Sequence, residues 1–307
     1  MGLLGKSAIA QRAFTEGALT LNEAYGRILK GITPWGDWTM TVPTNTETVD
    51  FAYMLAVPRL AKTLGAVNYG DMKGAHYTRT MEPWSTGVRI HKDLLNDDNL
   101  GLIQGRMRNL AGAANRKVEE LMFDLFVKGI ATTTYGAGPD GVAFFATTHP
   151  IEGGTQSNYD AGHGSGPWYL LDCSDTDALP LILMMREEAE YTVFDGGDEY
   201  NDTGMVKVKL ECRLQVGYGM HQKAYCSTQA IDEEQLWAAV TAMKGLVDDK
   251  GEKLGYNPTH LLCPLADERA AINAVKRAFI YDGAAATVSN EPITGMNLKV
   301  VASPWLT

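Results

Sequence analysis

Apolar positions recur most regularly between residues 101 and 128. Ile103, Met107, Leu110, Ala114, Val118, Leu121 and Leu125 follow one another at steps of three and four, the spacing that lines one face of an α-helix. It predicts a helix over Gly101 to Lys128, about 40 Å long at about 1.5 Å per residue, with Gly129 placed to cap it. Met205 to Tyr218 instead alternates strictly, with Val206, Val208, Leu210, Cys212, Leu214 and Val216 on one side of an extended chain. It predicts a strand, paired with Glu190 to Phe194 across the turn-like loop Asp195 to Gly204.

Alternation also runs through Ala66 to Thr80 and Trp84 to His91, predicting an aromatic-rich hairpin. Pro83, between the two, has no N–H for a ladder, which puts this hairpin at a sheet edge. Leu21 to Leu29 reads as a short helix with Thr20 or Asn22 near its N-cap. Ile32 to Trp38 carries two tryptophans broken by Pro34 and Gly36, an extended arm that needs a surface to pack on, such as a neighbouring subunit. Residues 130–167 read as loop around a short apolar core at Val142 to Phe145. Beyond them the pattern predicts strands at Trp168 to Cys173, Thr259 to Cys263 and Leu298 to Ala302. It predicts helices at Asp232 to Val247 and Ala266 to Ala278, and a Gly/Ala loop over Tyr281 to Gly295. The class is α+β.

Length and charge narrow the function. The 307 residues are 45% apolar, enough for one elaborate domain or two lobes. There are 27 Lys and Arg against 37 Asp and Glu, a net charge of −10, which argues against sheathing nucleic acid directly. Cys173, Cys212, Cys226 and Cys263 form no C-x-x-C pair and read as reduced, buried thiols. Met1 to Arg12 lacks an apolar signal-peptide core, and runs such as Leu179 to Met185 are too short for a bilayer. The expectation is a chain made and kept soluble, with no membrane partner.

Candidate chemistry is thin. Gly136, Gly138 and Gly141 match G-x-G-x-x-G, but a helix precedes and Pro139 interrupts, the reverse of the nucleotide-binding context. His149, Glu152, Asp160 and His163 fit no metal-ligand spacing and read as loop residues. Asp195, Asp198, Glu199 and Asp202 miss the spacing of a calcium loop. There is no G-x-S-x-G elbow. No catalytic, cofactor-binding or metal residue is assigned, and no cofactor is expected. The better reading of the aromatic and basic side chains is subunit contact. The candidates are Trp35, Trp38, Tyr69, Lys73, His76, Tyr77, Arg79, Trp84 and Arg89, with Asp195, Asp198, Glu199 and Asp202 at a hairpin tip.

Seven strings in order carry a resemblance: Met40-Thr-Val-Pro43, Pro58-Arg-Leu60, Asn96-Asp-Asp98, Thr148-His-Pro150, Ser165-Gly-Pro-Trp-Tyr-Leu-Leu-Asp172, Gly217-Tyr-Gly219 and Ser303-Pro-Trp-Leu306. Over essentially its full length the chain resembles the Mu-like major head subunit family, the T gene product. The resemblance implies the Johnson fold of tailed-phage and herpesvirus capsid proteins. It implies an N-terminal arm over 1–45 and an E-loop with flanks over 46–95, its hairpin lying on a neighbouring subunit. A P-domain over 96–228 would contain the spine helix 101–128 and long strands in 190–218, with part of the A-domain around 168–185. The rest of the A-domain would span 229–307, with 282–295 facing the capsomer axis. The long strands precede the A-domain helices, which reads as a circular permutation and predicts that Trp305 lies near Gly166 to Tyr169.

The implied function is a major capsid protein, not an enzyme, that self-assembles into hexamers and pentamers of an icosahedral head in the virion, enclosing double-stranded DNA without sequence-specific binding. A separate scaffold and protease, a portal and a decoration protein are the implied partners. Lys73, near the E-loop tip where some relatives cross-link, reads as a solvated charge. An encapsulin-like compartment shell is the rival reading, and an unrelated soluble enzyme a more distant one.

Overall fold

The computed structural model describes residues 34–54, 74–91, 93, 102–131, 137–138, 140–162, 166–176, 178–194, 202–248, 250–276, 279–282, 287–290 and 296–306. Expectations for the 21–29 helix and for the 195–201 loop lie outside the described residues.

The three-and-four periodicity becomes α1 (Leu102–Lys128). Val118, Leu121 and Leu125 are buried as the stripe requires, and so are Met122, Phe123 and Phe126. The C-terminal half of the helix is therefore covered on a broad face. It packs on the strictly alternating strand β10 (Met205–Tyr218), whose Val206, Val208, Leu210, Cys212 and Leu214 are buried.

β10 is an inner strand of a four-stranded sheet with β1 (Thr39–Pro43), β9 (Leu181–Phe194) and β4 (Glu82–His91), in the order β1-β9-β10-β4. β1 runs parallel to β9; the other pairings are antiparallel. Two findings correct the sequence reading. β9 begins at Leu181, not Glu190, because its first half is pinned between β1 and β10, so the charged run Arg186-Glu187-Glu188 does not break it. Within the expected 66–91 hairpin, the two described strands do not pair with each other either. β3 (Gly74–Thr80) pairs with β2 (Thr48–Met54), while β4 pairs with β10. One buried residue, Met81, separates β3 from β4, too few for a reversal. Its side chain packs with Ile182 and Met184 on the face of the sheet away from α1. Pro83 sits on an edge strand, as expected.

A five-stranded sheet has the order β15-β12-β8-β11-β7. Its strands are β15 (Lys299–Ser303), β12 (His260–Pro264), β8 (Trp168–Leu171), β11 (Ala224–Ser227) and β7 (Tyr159–Asp160). All four residues of β8 are buried. Tyr169 and Leu171 join the core beneath α1, and Trp168 and Leu170 face a second core. That second core lies under α2 (Glu233–Lys244) and α3 (Glu268–Lys276). Asp232 caps α2 by accepting from the Gln235 N–H at 2.8 Å. Short ladders complete the described chain: β5 (His149–Ile151) with β6 (Gly154–Gln156), and β13 (Phe279–Asp282) with β14 (Thr287–Asn290) where a loop was expected.

Pro264 pairs with Ser303, and β12 runs antiparallel to β8. The end of β15 and the start of β8 therefore lie at the same end of one sheet with β12 between them, which brings Trp305 to the Gly166–Trp168 end. Among the described residues no helix is long and apolar enough to cross a membrane.

Candidate assembly surfaces and a buried histidine cluster

The structure sorts the thirteen contact candidates. Trp35 and Trp38 are 3% and 0% exposed, inside the subunit's own core. Trp38 meets Phe123 and His260 edge-on, so neither indole keeps a surface for a neighbour. The turn Pro34–Asp37, which carries Trp35 and leads into Trp38, folds inward because β1 must reach β9. Trp84 is half-buried against the main core, with the Lys117 ammonium 4.6 Å from its ring centroid. Arg89 and Asp202 are exposed and Arg79 is half-buried. His76 and Tyr77 lie on β3 opposite Ala52 and Phe51. Tyr69, Lys73, Asp195, Asp198 and Glu199 lie outside the described residues.

Four large apolar side chains outside the thirteen contact candidates are exposed: Phe194 at 49%, Trp237 at 42%, Leu265 at 56% and Trp305 at 39%. Trp237 stands on the outer side of α2, one residue from the buried Leu236. A tryptophan off the apolar stripe was the available signal. Leu265 and Trp305 follow the paired ends of β12 and β15.

Asp37 ties the opening turn to the five-stranded sheet. It pairs with Lys299 of β15, and His260 Nε2 of β12 approaches it at 3.4 Å. Burial raises its carboxyl, but Lys299 and His260 outweigh that and hold it below the usual range. Beside it opens a cavity of about 610 Å³ that includes Thr39, Thr41, Cys173 and His260. Burial pushes the Cys173 thiol up to about 12, so it is no nucleophile near neutrality.

The most organised polar group is buried elsewhere. His149 is 0% and His221 5% exposed, with ring centroids 3.9 Å apart and planes within 6°. Asn158, also 0% exposed, orients the pair. Its Nδ2 lies 2.8, 3.2 and 3.3 Å from the carbonyl oxygens of Phe144, His221 and Ala224, which share its two hydrogens. Its Oδ1 therefore accepts, from the Ala146 N–H at 3.0 Å and from His149 Nε2 at 3.0 Å. That makes Nε2 the donor and leaves His149 Nδ1 in hydrogen-bond contact with Asp140 Oδ2 at 2.5 Å. Burial raises the Asp140 carboxyl, but the hydrogen bond from His149 and the two imidazoles outweigh it and lower it. Burial, then His149, pushes His221 down to about 3.

Asp140, His149 and His221 have the composition of a metal site, but not its geometry. A metal ion binds an imidazole along the in-plane lone pair, so rings that share one ion have planes meeting there. Nearly parallel stacked planes do not meet. The arrangement serves ring stacking and a close imidazole–carboxylate hydrogen bond. Of the four loop residues weighed from sequence, His149 is in this cluster; Glu152 is exposed and Asp160 half-buried, and His163 lies outside the described residues.

Comparison with known proteins adds identity to this geometry. The chain is 29% identical over 279 residues to the Mu-like prophage FluMu major head subunit of Haemophilus influenzae, covering 86% of this chain and 88% of that one. It is 28% identical over 265 residues to the major capsid protein of Escherichia phage Mu, covering 82% and 85%. Its fold is that of the subunit in the procapsid of bacteriophage JBD30, with a TM-score of 0.78 at 22% identity over 99% of this chain and 100% of that one. The JBD30 capsid decorated with minor capsid protein trimers gives 0.72 at 18% identity, over 90% and 91%. Residues 16–306 match the family of the Mu-like prophage major head subunit gpT, and the chain belongs to that family.

Proposed function

We propose that this head subunit closes with copies of itself, as hexamers and pentamers, into an icosahedral shell around double-stranded DNA. The observation that carries the proposal is the family match over residues 16–306, joined to a fold shared with a procapsid subunit over 99% of the chain. A net charge of −10 suits a wall that does not grip the DNA. The role is structural, and no reaction is assigned.

Assembly rests on many modest contacts acting together. Phe194, Trp237, Leu265 and Trp305 are the exposed large apolar side chains among the described residues, and they suit such contacts. The β2–β3 ladder, in place of the 66–91 hairpin, is the element we assign to lie over a neighbour. Trp84, Arg79 and Arg89 stay in the contact set, as do the Asp195–Asp202 tip and Tyr69, Lys73, His76 and Tyr77. A scaffold with its protease, a portal and a decoration protein complete the proposed head; the last is supported by the decorated JBD30 relative. The circular permutation remains part of the reading, supported by the closeness of the β15 end to β8.

Negative-stain electron microscopy of the chain expressed alone and with its genomic neighbours tests the proposal. Closed polyhedra, or hexamers and pentamers, are expected. A protein that stays monomeric or dimeric even with a scaffold overturns it. Shells that enclose a cargo enzyme and never a portal or DNA favour a compartment instead.

A further inference from the structure

The two stacked imidazoles sit where the chain passes from one sheet to the other. β10 ends at Tyr218, a short 3-10 turn spans His221–Lys223, and β11 opens at Ala224. His149 comes from β5, Asp140 from the segment after α1, and Asn158 from just before β7. Segments distant in sequence thus meet on one joint.

We propose that Asp140, His149 and His221 form a proton-operated latch, closed while His221 is neutral and released when His221 takes up a proton. The reason is electrostatic. A proton on His221 would place a charge in a site closed to water, and against the face of the His149 ring stacked on it. Asp140 Oδ2, 4.0 Å from His221 Nδ1 against 2.5 Å from His149 Nδ1, also draws a proton toward His221, but burial and His149 outweigh that pull. Lys223 turns away, toward Asp175 at 3.6 Å and the Tyr256 ring. Tyr218 turns its hydroxyl to the Leu125 carbonyl. Among the described residues, the charges acting on Asp140 and His221 are those of the cluster itself.

The direction follows. In the opened joint His221 is hydrated and titrates near 6.5; in the closed joint it is held at about 3. The closed form has its full advantage above pH 6.5 and loses it as pH falls toward 3. Asp140, held below the usual carboxylate range, loses its contribution on acidification too. With these two His221 values, the ratio of open to closed joint rises about 30-fold from pH 7.5 to pH 5.

Hydrogen exchange of the unassembled full-length chain at pH 7.5 and pH 5, corrected for intrinsic chemistry, tests the latch. Peptides over 140–160 and 218–227 should exchange about 30-fold faster at pH 5, while α2 should not change. In His221→Phe, which keeps a stacked ring but takes no proton, the pH difference should vanish. If it persists in that variant, or is equal throughout the chain, the latch is overturned. Should the variant not fold, an NMR titration of His221 in the unaltered chain decides. A resonance unmoved down to pH 4.5 supports the latch, and a midpoint near 6.5 overturns it.

Discussion

Replacing Asn158 by leucine isolates the contribution of one buried amide. Leucine is close to asparagine in size, so packing is largely kept while five hydrogen bonds vanish. The Ala146 N–H and the His149 Nε2–H lose their acceptor, and three carbonyls lose a donor. Each carbonyl has a second lone pair, so the two donors dominate. A buried donor without a partner costs about 1–3 kcal/mol, which gives about 2–6 kcal/mol for the pair. That is a large share of the roughly 5–15 kcal/mol that holds a typical domain folded. Urea unfolding of the unassembled chain, followed by tryptophan fluorescence, reads the change. At a slope of about 3 kcal/mol per molar urea, the midpoint falls by roughly 0.7–2 M with the slope unchanged. Ser157→Ala, next door, removes a half-buried hydroxyl bonded to the Tyr159 carbonyl at 2.7 Å and should cost under about 1 kcal/mol. If Asn158→Leu loses no more than this control, the amide does not organise the cluster as described.

Three further outcomes follow from the packing of the subunit. A methyl group at Gly219 would lie 2.2 Å from the Leu179 carbonyl oxygen and 2.9 Å from that of Pro180. Gly219→Ala should therefore lower stability by more than about 3 kcal/mol, read as a fall in calorimetric midpoint. Asp37→Asn should cost less than about 1 kcal/mol in urea unfolding, because its partners Lys299 and His260 meet a carboxylate that is 45% exposed and screened by water. The four thiols should react with a disulfide reagent at pH 8 only after unfolding, since burial raises Cys173 to about 12, Cys263 to about 11 and Cys226 well above the ordinary value, with Cys212 also raised. Rapid release of a thiol from the folded chain would refute that burial.

Where one face of an element is buried, its period was legible: Leu102–Lys128 and Met205–Tyr218 appear almost at the expected bounds. Pairing was not legible, because alternation tells which side chains share a face but not which strand lies alongside. β3 and β4 are neighbours in sequence, yet they join different sheets. The buried cluster was hidden for a similar reason. His149 was visible as a loop histidine, but Asn158 and His221 meet it only through the fold. The strings that carried the family resemblance have physical roles in the subunit. In Gly217-Tyr-Gly219, the Tyr218 ring stacks on Phe144 at 4.6 Å and Gly219 fits where no side chain can. Within Ser165 to Asp172, Trp168 Nε1 donates to the Gln229 carbonyl at 2.8 Å. Trp35 and Trp38 misled because Pro34 and Gly36 look like a loop, and a loop can fold inward.

The parallel pairing of β1 with β9 sets a schedule for the newborn chain. Leu181 follows its partner Thr39 by 142 residues, so at about 5–20 residues per second the ribosome delivers the partner about 7–28 s later. Met40 and Val42 pack against the cluster of Met81, Ile182 and Met184, and two members of that cluster arrive only with β9. Throughout that interval β1 is an unpaired edge with apolar side chains in water. Tempo of translation across residues 44–180 therefore governs how long a nascent subunit stays vulnerable to premature association.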